Sequence, residues 1–217
     1  MNTTTPIAAR ITNRLTMLDA DAANRAHNAT VAAHEVGKGW TTPGHCAFFE
    51  AALRELNFAP RILVCGVYRG MDLRLIEYAG SIAGRDPCLT GVDLFSDGPC
   101  QDWTDDQRGK SWEENGFGPP PSMEEAAKAA PRARLIKSNS IEFLRSTKEM
   151  FDWIYLDTSH DRATVLAEIE AAKPRVNAGG ILSGDDYMGP QTWGVAEAVQ
   201  TLLPHHVVLF NRVWLAA

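Results

Sequence analysis

From residue 61 onward, short apolar runs alternate with longer segments in which apolar positions recur at helical spacing. The runs are too short for helices and end in glycine or in polar residues, which is typical of buried parallel strands. The alternation predicts an α/β fold, with a doubly wound, mostly parallel sheet covered by helices on both faces. The five clearest runs span residues 61–66, 88–94, 133–140, 151–157 and 179–186.

The N-terminal part of the chain has a different pattern. Residues 1–36 are rich in alanine and carry four apolar side chains at helical spacing between positions 7 and 18. We expect a helical extension of one or two helices outside the main core. Its apolar face would also support a homodimer.

A polar segment at residues 96–122, rich in glycine and proline, interrupts the alternation after the second predicted strand. Ligands of doubly wound sheets bind at the carboxyl ends of the strands, where this segment begins. It contains Trp103 and Trp112, and tryptophan rings are costly to leave in water. We therefore expect an active-site lid rather than a disordered insertion.

The composition and net charge of the chain exclude several classes of protein and partner. The chain has 217 residues, 45% of them hydrophobic, so we expect a single domain over residues 1–217. The net charge of −6 and the lack of a basic stripe disfavour nucleic acid as a partner. No run reaches the roughly 18 apolar residues of a membrane span, and no signal peptide is evident, so we expect a cytoplasmic protein without a membrane partner. The four cysteines lack C-x-x-C spacing and are expected to be buried, reduced thiols.

The first two predicted strands suggest a nucleoside site. Gly66 and Gly70, three residues apart, follow the first strand and precede a helix, where glycine lets the backbone approach a ligand. Asp93 ends the second strand, 23 residues after Gly70, a position suited to binding two ribose hydroxyls. The full G-x-G-x-x-G pattern is missing, which argues against a dinucleotide.

The last two parallel strands suggest a metal site. Asp157 ends the fourth predicted strand, and Asp185 and Asp186 end the fifth. If these strands are neighbours, three carboxylates converge and suit a hard divalent cation such as Mg²⁺. The alternative is that Asp185 caps the next segment and Asp186 bonds to backbone. His160 is a candidate general base, a metal neighbour or a polar residue at a helix start.

These motifs resemble those of class I S-adenosylmethionine-dependent methyltransferases, over residues 38–200. The resemblance is narrower to the small-molecule O-methyltransferases of macrolide sugars and aminocoumarins and to cephalosporin-hydroxylase-like proteins. It lies in "ILVCGVYRGMDL", "GVDLF", "GVAEAV" and, most diagnostically, "FDWIYLDTSHDRATVLAEIEAAKPRVNAGGILSGDDY". Three departures stand out. Cys65 replaces the acid that usually ends the first strand and helps hold the cofactor's amino group. Asp72 occupies a position where a small hydroxyl residue is common, and Ser159 replaces a second aspartate proposed as base in some relatives.

The resemblance implies roles for particular residues. S-adenosylmethionine would be bound by Gly66, Val67, Tyr68, Arg69, Gly70, Asp93, Leu94, Ser138, Asn139, Ser140 and Asp157. Mg²⁺ would be bound by Asp157, Asp185 and Asp186, with His160 and Asp157 as the catalytic pair. The acceptor would contact Trp40, Trp103 and Tyr187.

The function expected from this resemblance is Mg²⁺-assisted transfer of a methyl group to a hydroxyl of a small molecule, in natural-product or sugar metabolism. One alternative is metal-independent methylation of a small-molecule nitrogen or carboxylate. Another is a hydroxylase-like or nucleoside-binding relative without transferase activity. The acidic charge and the compact size favour a small-molecule acceptor over protein or nucleic acid.

Overall fold

The computed structural model describes residues 5–36, 39–96, 107–189 and 193–217. Its centre is a seven-stranded sheet with the order β3-β2-β1-β4-β5-β7-β6. The first five strands in that order are parallel, and β7 runs antiparallel to both of its neighbours, β5 and β6. The strands are β1 Arg61–Cys65, β2 Cys88–Asp93, β3 Arg134–Lys137, β4 Phe151–Leu156, β5 Val176–Gly184, β6 His206–Leu209 and β7 Val213–Ala216.

Helices cover both faces of this sheet, which confirms the predicted doubly wound, mostly parallel α/β fold. The helices are α1 Ile7–Thr16, α2 Ala20–Val36, α3 Pro43–Glu55, α4 Met71–Ala83, α5 Met123–Ala129, α6 Ser140–Ser146, α7 Arg162–Ala172 and α8 Val195–Leu202, with a 3₁₀ turn at Lys173–Arg175. Among these helices, none has both the length and the hydropathy needed to span a bilayer.

Alternate residues of β4 supply the two halves of the core. Trp153 and Tyr155 are fully buried on the face that α3 covers, where Phe48 and Phe49 meet their rings at centroid distances of 5.3–6.4 Å. Ile154 is buried on the opposite face, against α7 and α8. This two-residue period follows from the pleat of a strand, and each large side chain buried this way contributes about 1.5–3 kcal/mol.

The expectation that the N-terminal helices lie outside the main core was wrong. Ile11 of α1 is fully buried within the same cluster as β4 and α3, and Ala26 and Ala29 of α2 are buried there too. Alanine explains this placement, because side chains of one methyl group let α2 lie close against α3.

The C-terminal turn and the cysteines complete the description of the fold. Phe210 and Asn211, both with positive φ, form the tight turn between β6 and β7, and Arg212 follows that turn. Cys46 and Cys65 are buried, but Cys88 is exposed because it begins a strand whose first side chain points outward. Burial raises the pKa of the Cys46 thiol to about 12. Cys100 lies outside the described residues.

Gly66 allows β1 and β4 to meet at their carboxyl ends. Its φ is +85°, and a Cβ placed on it would lie 1.6 Å from the carbonyl oxygen of Asp157. Gly84, at the end of α4, also has a positive φ, +66°, but nothing lies within 4 Å of its hypothetical Cβ. The two glycines therefore separate the cost of a left-handed backbone from the cost of a steric clash.

We expect Gly66→Ala to destabilise the protein more than Gly84→Ala. The second change costs only the left-handed conformation, about 1–2 kcal/mol. The first adds overpacking against the Asp157 backbone, typically about 1–3 kcal/mol more. Urea unfolding of both variants measures the difference, and equal losses would contradict the close approach.

Candidate functional site: a cleft at the carboxyl edge of the sheet

One cavity of about 530 Å³ opens at the carboxyl ends of the parallel strands. The strand order fixes the sequence of groups along this edge. Residues after β3 and β2 lie at one end, the turn after β1 lies in the middle, and residues after β4 and β5 lie at the other end. Ligands of open α/β sheets bind at this edge, where the direction of strand order reverses.

Asp93 fixes the shape of the turn after β1. Its Oδ2 accepts hydrogen bonds from the backbone N–H groups of Val67 and Tyr68, both at 2.8 Å, and its Oδ1 accepts from Phe95 N at 2.7 Å. Burial raises the pKa of Asp93 despite these three bonds. The carboxylate lines the cavity, so the residue predicted to bind ribose also holds the glycine turn in place.

The segment after β3 forms the next part of the wall. Ser138, Asn139 and Ser140 all line the cavity, and Asn139 also caps α6 by accepting from two backbone N–H groups. The Ser140 hydroxyl donates to the carboxylate of Glu168, a residue with 1% of its surface exposed. Thr158 Oγ1 donates to the same carboxylate at 2.6 Å. This buried cluster joins the segments after β3 and β4.

Three carboxyl groups meet at the other end of the cavity. Asp157, Asp185 and Asp186 each offer an oxygen, and these oxygens lie within 4.8 Å of one another. Asp186 adopts a positive φ of 62°, a conformation that aspartate tolerates better than most residues. Burial, followed by the charges of the two neighbouring aspartates, raises the pKa of Asp157 well above its usual range.

Three nitrogen-bearing side chains surround this acidic group. Arg212 Nη2 donates to Asp186 at 2.6 Å, and the same guanidinium contacts both oxygens of Asp185 at 3.3 Å. His160 Nε2 lies 3.0 Å from Asp186 Oδ2, and His45 Nε2 lies 2.9 Å from Asp185 Oδ2. Burial alone would raise the pKa of Asp185, but the bond from His45 and the charge of Arg212 lower it to about 2.

The contacts of His45 determine which ring nitrogen carries the proton. Thr42 N donates to His45 Nδ1 at 3.0 Å, in the capping box that begins α3. Since Nδ1 is then an acceptor, the hydrogen of the neutral ring is on Nε2 and points at Asp185. The hydrogen bond that caps α3 therefore also directs the His45 ring toward Asp185.

The acidic group fits a hard divalent cation. Its donor set consists of three carboxylate oxygens, the ligands that Mg²⁺ prefers. The carboxyl group of Asp157 shares a hydrogen bond with that of Asp72, which also lines the cavity. Arg212 and the two histidines compensate Asp185 and Asp186 but leave Asp157 with a strongly raised pKa, which a cation would relieve.

An aromatic wall faces the acidic end. We use this name for Trp40, Tyr68, Trp112, Phe117 and Trp193, all of which line the cavity. The ring of Trp193 stacks on His160 at a centroid distance of 3.5 Å and an interplanar angle of 8°. Trp40 lies 5.1 Å from Tyr68 and 5.5 Å from Phe117, centroid to centroid. These rings come from four separate stretches of the chain.

The described part of the expected lid, residues 107–122, is bound to the glycine turn. Tyr68 Oη donates to the carbonyl oxygen of Pro119 at 2.7 Å, and Arg69 Nε donates to that of Pro120 at 3.0 Å. Arg69 also pairs with Glu125 at 2.5 Å. Trp112 and Phe117 of this part reach the cavity, while Trp103 lies outside the described residues.

Most of the residues predicted from sequence line this cavity. They are Trp40, Gly66, Val67, Tyr68, Asp93, Leu94, Ser138, Asn139, Ser140, Asp157, His160, Asp185 and Asp186. Arg69 and Gly70 do not line it: Arg69 faces Pro120, and Gly70 precedes α4 with a φ of +89°.

Tyr187 does not line the cavity either, contrary to the expected acceptor contact. Its hydroxyl bonds to Gln200 at 2.9 Å and to His206 at 2.8 Å. The reason is the backbone, because the left-handed turn at Asp186 directs the next side chain away from the cavity.

Several further side chains line the cavity without having been assigned a role from sequence, among them Thr41, Asp72, Glu168, Trp193 and Arg212. Only Asp72 carried a signal, as a departure from the family pattern. Arg212 reaches the acids through an antiparallel hairpin, a pairing that the sequence did not resolve.

Comparison with known proteins agrees with this geometry. Residues 63–187, more than half of the chain, match a family described as a methyltransferase domain. The chain belongs to this methyltransferase family. The match spans the glycine turn, Asp93, Asp157 and the acidic pair, and the enzyme uses S-adenosylmethionine as its methyl donor. Among curated protein sequences, none is similar enough to count as a match.

Solved structures with this fold include several methyltransferases. The O-methyltransferase NovP is 15% identical, with a TM-score of 0.62 over 90% of this chain and 97% of that one. CalS11, a calicheamicin methyltransferase, is 16% identical, with a TM-score of 0.57 over 97% and 91%. An O-methyltransferase from Bacillus cereus in complex with S-adenosylhomocysteine is 12% identical, with a TM-score of 0.53 over 96% and 95%. At these identities the likeness concerns the fold.

We expect Arg212→Gln to destabilise the metal-free protein by roughly 1–3 kcal/mol, because it removes charged hydrogen bonds from two buried carboxylates. Arg132→Gln is the matched control, since Arg132 pairs with Asp86 in the open, where ion pairs contribute about 0–1 kcal/mol. Urea unfolding in the presence of a chelator measures both. Equal, small losses would contradict the compensating role of Arg212.

Proposed function

We propose that this methyltransferase transfers the methyl group to a hydroxyl of a small molecule, assisted by Mg²⁺, in natural-product or sugar metabolism. The observation that carries the proposal is the convergence of the three carboxylates beside His160, in the same cavity as the glycine turn. Two proteins that share the fold support it: NovP is described as an O-methyltransferase, and CalS11 as a TDP-rhamnose 3′-O-methyltransferase of calicheamicin biosynthesis.

The proposed mechanism assigns a task to each group. Asp157, Asp185 and Asp186 would hold the cation. When bound, Mg²⁺ supplies positive charge that lowers the pKa of the acceptor hydroxyl and orients its oxygen. His160 would accept the hydroxyl proton, since Asp186 and the stacked ring of Trp193 fix the orientation of its imidazole.

The aromatic wall would position the acceptor and exclude water. Trp40 is half exposed, with 50% of its surface accessible, although its ring lines the cavity. A flat or apolar acceptor lying against it would bury that surface and gain contact energy. Methyl transfer from a sulfonium requires mainly that the acceptor oxygen be placed in line with the methyl group, so such positioning is the chief contribution of the protein.

Methylation of a nitrogen or carboxylate without a metal is the second candidate. It is favoured by Arg212, His45 and His160, which already compensate Asp185 and Asp186. An amine or carboxylate acceptor needs less activation than an alcohol, so the acids would then orient the acceptor rather than hold a cation.

We expect methyl transfer to catechols and hydroxylated glycosides to fall sharply when the enzyme is treated with a chelator, and to return on addition of Mg²⁺. Asp186→Asn should weaken Mg²⁺ binding, measured by calorimetry, by about 100-fold. It should leave binding of S-adenosylhomocysteine nearly unchanged. The exposed Asp86→Asn serves as the control. Full activity in the chelator would reject the metal and favour the second candidate.

We expect His160→Asn to lower turnover by roughly 10²–10⁴-fold, the usual contribution of a general base. Binding of S-adenosylhomocysteine should be unchanged, and the remaining rate should rise with the concentration of hydroxide. The control is His205→Asn, because His205 is exposed. A wild-type pH profile in this variant would show that His160 only positions its neighbours.

A further inference from the structure

Arg212 contacts the carboxylate oxygens that a divalent cation would need. Its Nη2 donates to Asp186 Oδ1 at 2.6 Å, and its Nε and Nη2 lie 3.3 Å from Asp185 Oδ1 and Oδ2, respectively. The guanidinium therefore touches three of the four oxygens of the acidic pair, and the fourth, Asp186 Oδ2, lies 3.0 Å from His160 Nε2. Since arginine is always charged, the chain itself supplies a cation to these acids.

A guanidinium and a divalent cation would compete for this place. Mg²⁺ binds carboxylate oxygens at about 2.0–2.1 Å, so its charge would lie within a few ångströms of the guanidinium and repel it. The two cations also differ in reach. The hydrogen bonds of Arg212 go to the pair after β5, whereas the three converging oxygens would let a metal bind Asp157 as well.

The exposure of Arg212 shows that it is the partner that can leave. Its side chain is 37% exposed, against 1% for His45 and 11% for His160. Its backbone is fixed, because Tyr187 N donates to its carbonyl oxygen at 2.9 Å and its own N–H donates to Leu209 O at 3.0 Å. Rotation about the side-chain bonds is therefore enough to move the guanidinium into water while the hairpin stays in place.

We propose that Arg212 is an internal cation, which holds the acidic pair while no metal is bound and which a divalent cation must displace. Arg212 would then set the metal affinity of the site. The inference rests on the proposed function, in which Asp157, Asp185 and Asp186 hold Mg²⁺. It gives Arg212 the opposite effect from that of a residue that orients metal ligands, because loss of an orienting residue weakens metal binding.

Calorimetric titration of the protein with Mg²⁺ and, separately, with Mn²⁺ tests the proposal. Arg212→Gln should bind both cations more tightly than the wild type, by about fivefold or more, because no guanidinium has to leave. Arg212→Lys keeps the positive charge and should stay closer to the wild type. Arg132→Gln removes the same charge from an exposed ion pair and should change the affinity by no more than about twofold.

Thermal unfolding provides a readout that does not depend on activity. Arg212→Gln should be less stable than the wild type in a chelator, and a fixed concentration of Mg²⁺ should raise its Tm by more. The reason is that a ligand stabilises the folded state in proportion to the logarithm of its concentration over its Kd. An arginine that only supports the fold would give the first effect without the second, and that result would overturn the proposal.

Crystals of the wild type soaked with Mn²⁺ give a test that holds even if Arg212→Gln does not fold. The anomalous signal of manganese should lie among the three carboxylates, with the guanidinium of Arg212 no longer within hydrogen-bonding distance of Asp186. Manganese bound there with Arg212 still bonded to Asp186 would contradict displacement.

The titrations also separate this proposal from the proposed function. Equal or weaker metal binding by Arg212→Gln would overturn the internal cation and leave the metal of the proposed function in place. Metal binding by Arg212→Gln but not by the wild type would support the internal cation and reject Mg²⁺ assistance in the wild-type enzyme. If neither protein binds either cation, the metal site fails and the internal cation fails with it.

Discussion

The concentration of negative charge at one end of the cavity is the constraint on which this site depends. Four carboxyl groups, those of Asp72, Asp157, Asp185 and Asp186, share an enclosed space in which repulsion is strong. Side chains from distant elements reduce this repulsion. They are the guanidinium of Arg212, from the C-terminal hairpin, and the imidazoles of His45 and His160. Such a concentration of buried carboxyl groups is costly to fold, because each charge taken out of water must be compensated by a partner or a proton.

The same charges explain why the cofactor and the acids belong to one cavity. A sulfonium is a cation next to an electrophilic methyl group, and an acidic environment favours its binding. Gly66 provides the geometry, because its missing side chain lets the cofactor turn touch the backbone of Asp157. The turn after β1 and the acid after β4 are therefore packed directly against each other, with no room for a side chain between them.

The sequence predicted the parts of this molecule that follow from local patterns. The parallel strands, the glycine turn and Asp93 were placed correctly because each obeys a short-range rule, and the convergence of Asp157 with the acidic pair followed once β4 and β5 were taken as neighbours. Short-range rules did not predict the orientation of Tyr187 or the position of Arg212. A single backbone angle at Asp186 turned Tyr187 outward, and long-range pairing brought Arg212 in. Neither effect leaves a periodic trace in the sequence.

The hydrogen bonds at the start of α3 stabilise both the fold and the site. Thr41 bonds to Asp72, and four residues later His45 bonds to Asp185, so one helix start contacts both the cofactor end and the acidic end. The bond from Thr42 that caps α3 also sets the tautomer of His45. Displacing this helix start would remove partners from two carboxylates at once. The N-terminal helices pack on α3 with buried alanines, and His34 of α2 lies 3.2 Å from the carbonyl oxygen of Thr41, so these helices help to hold the helix start on which the two carboxylates depend.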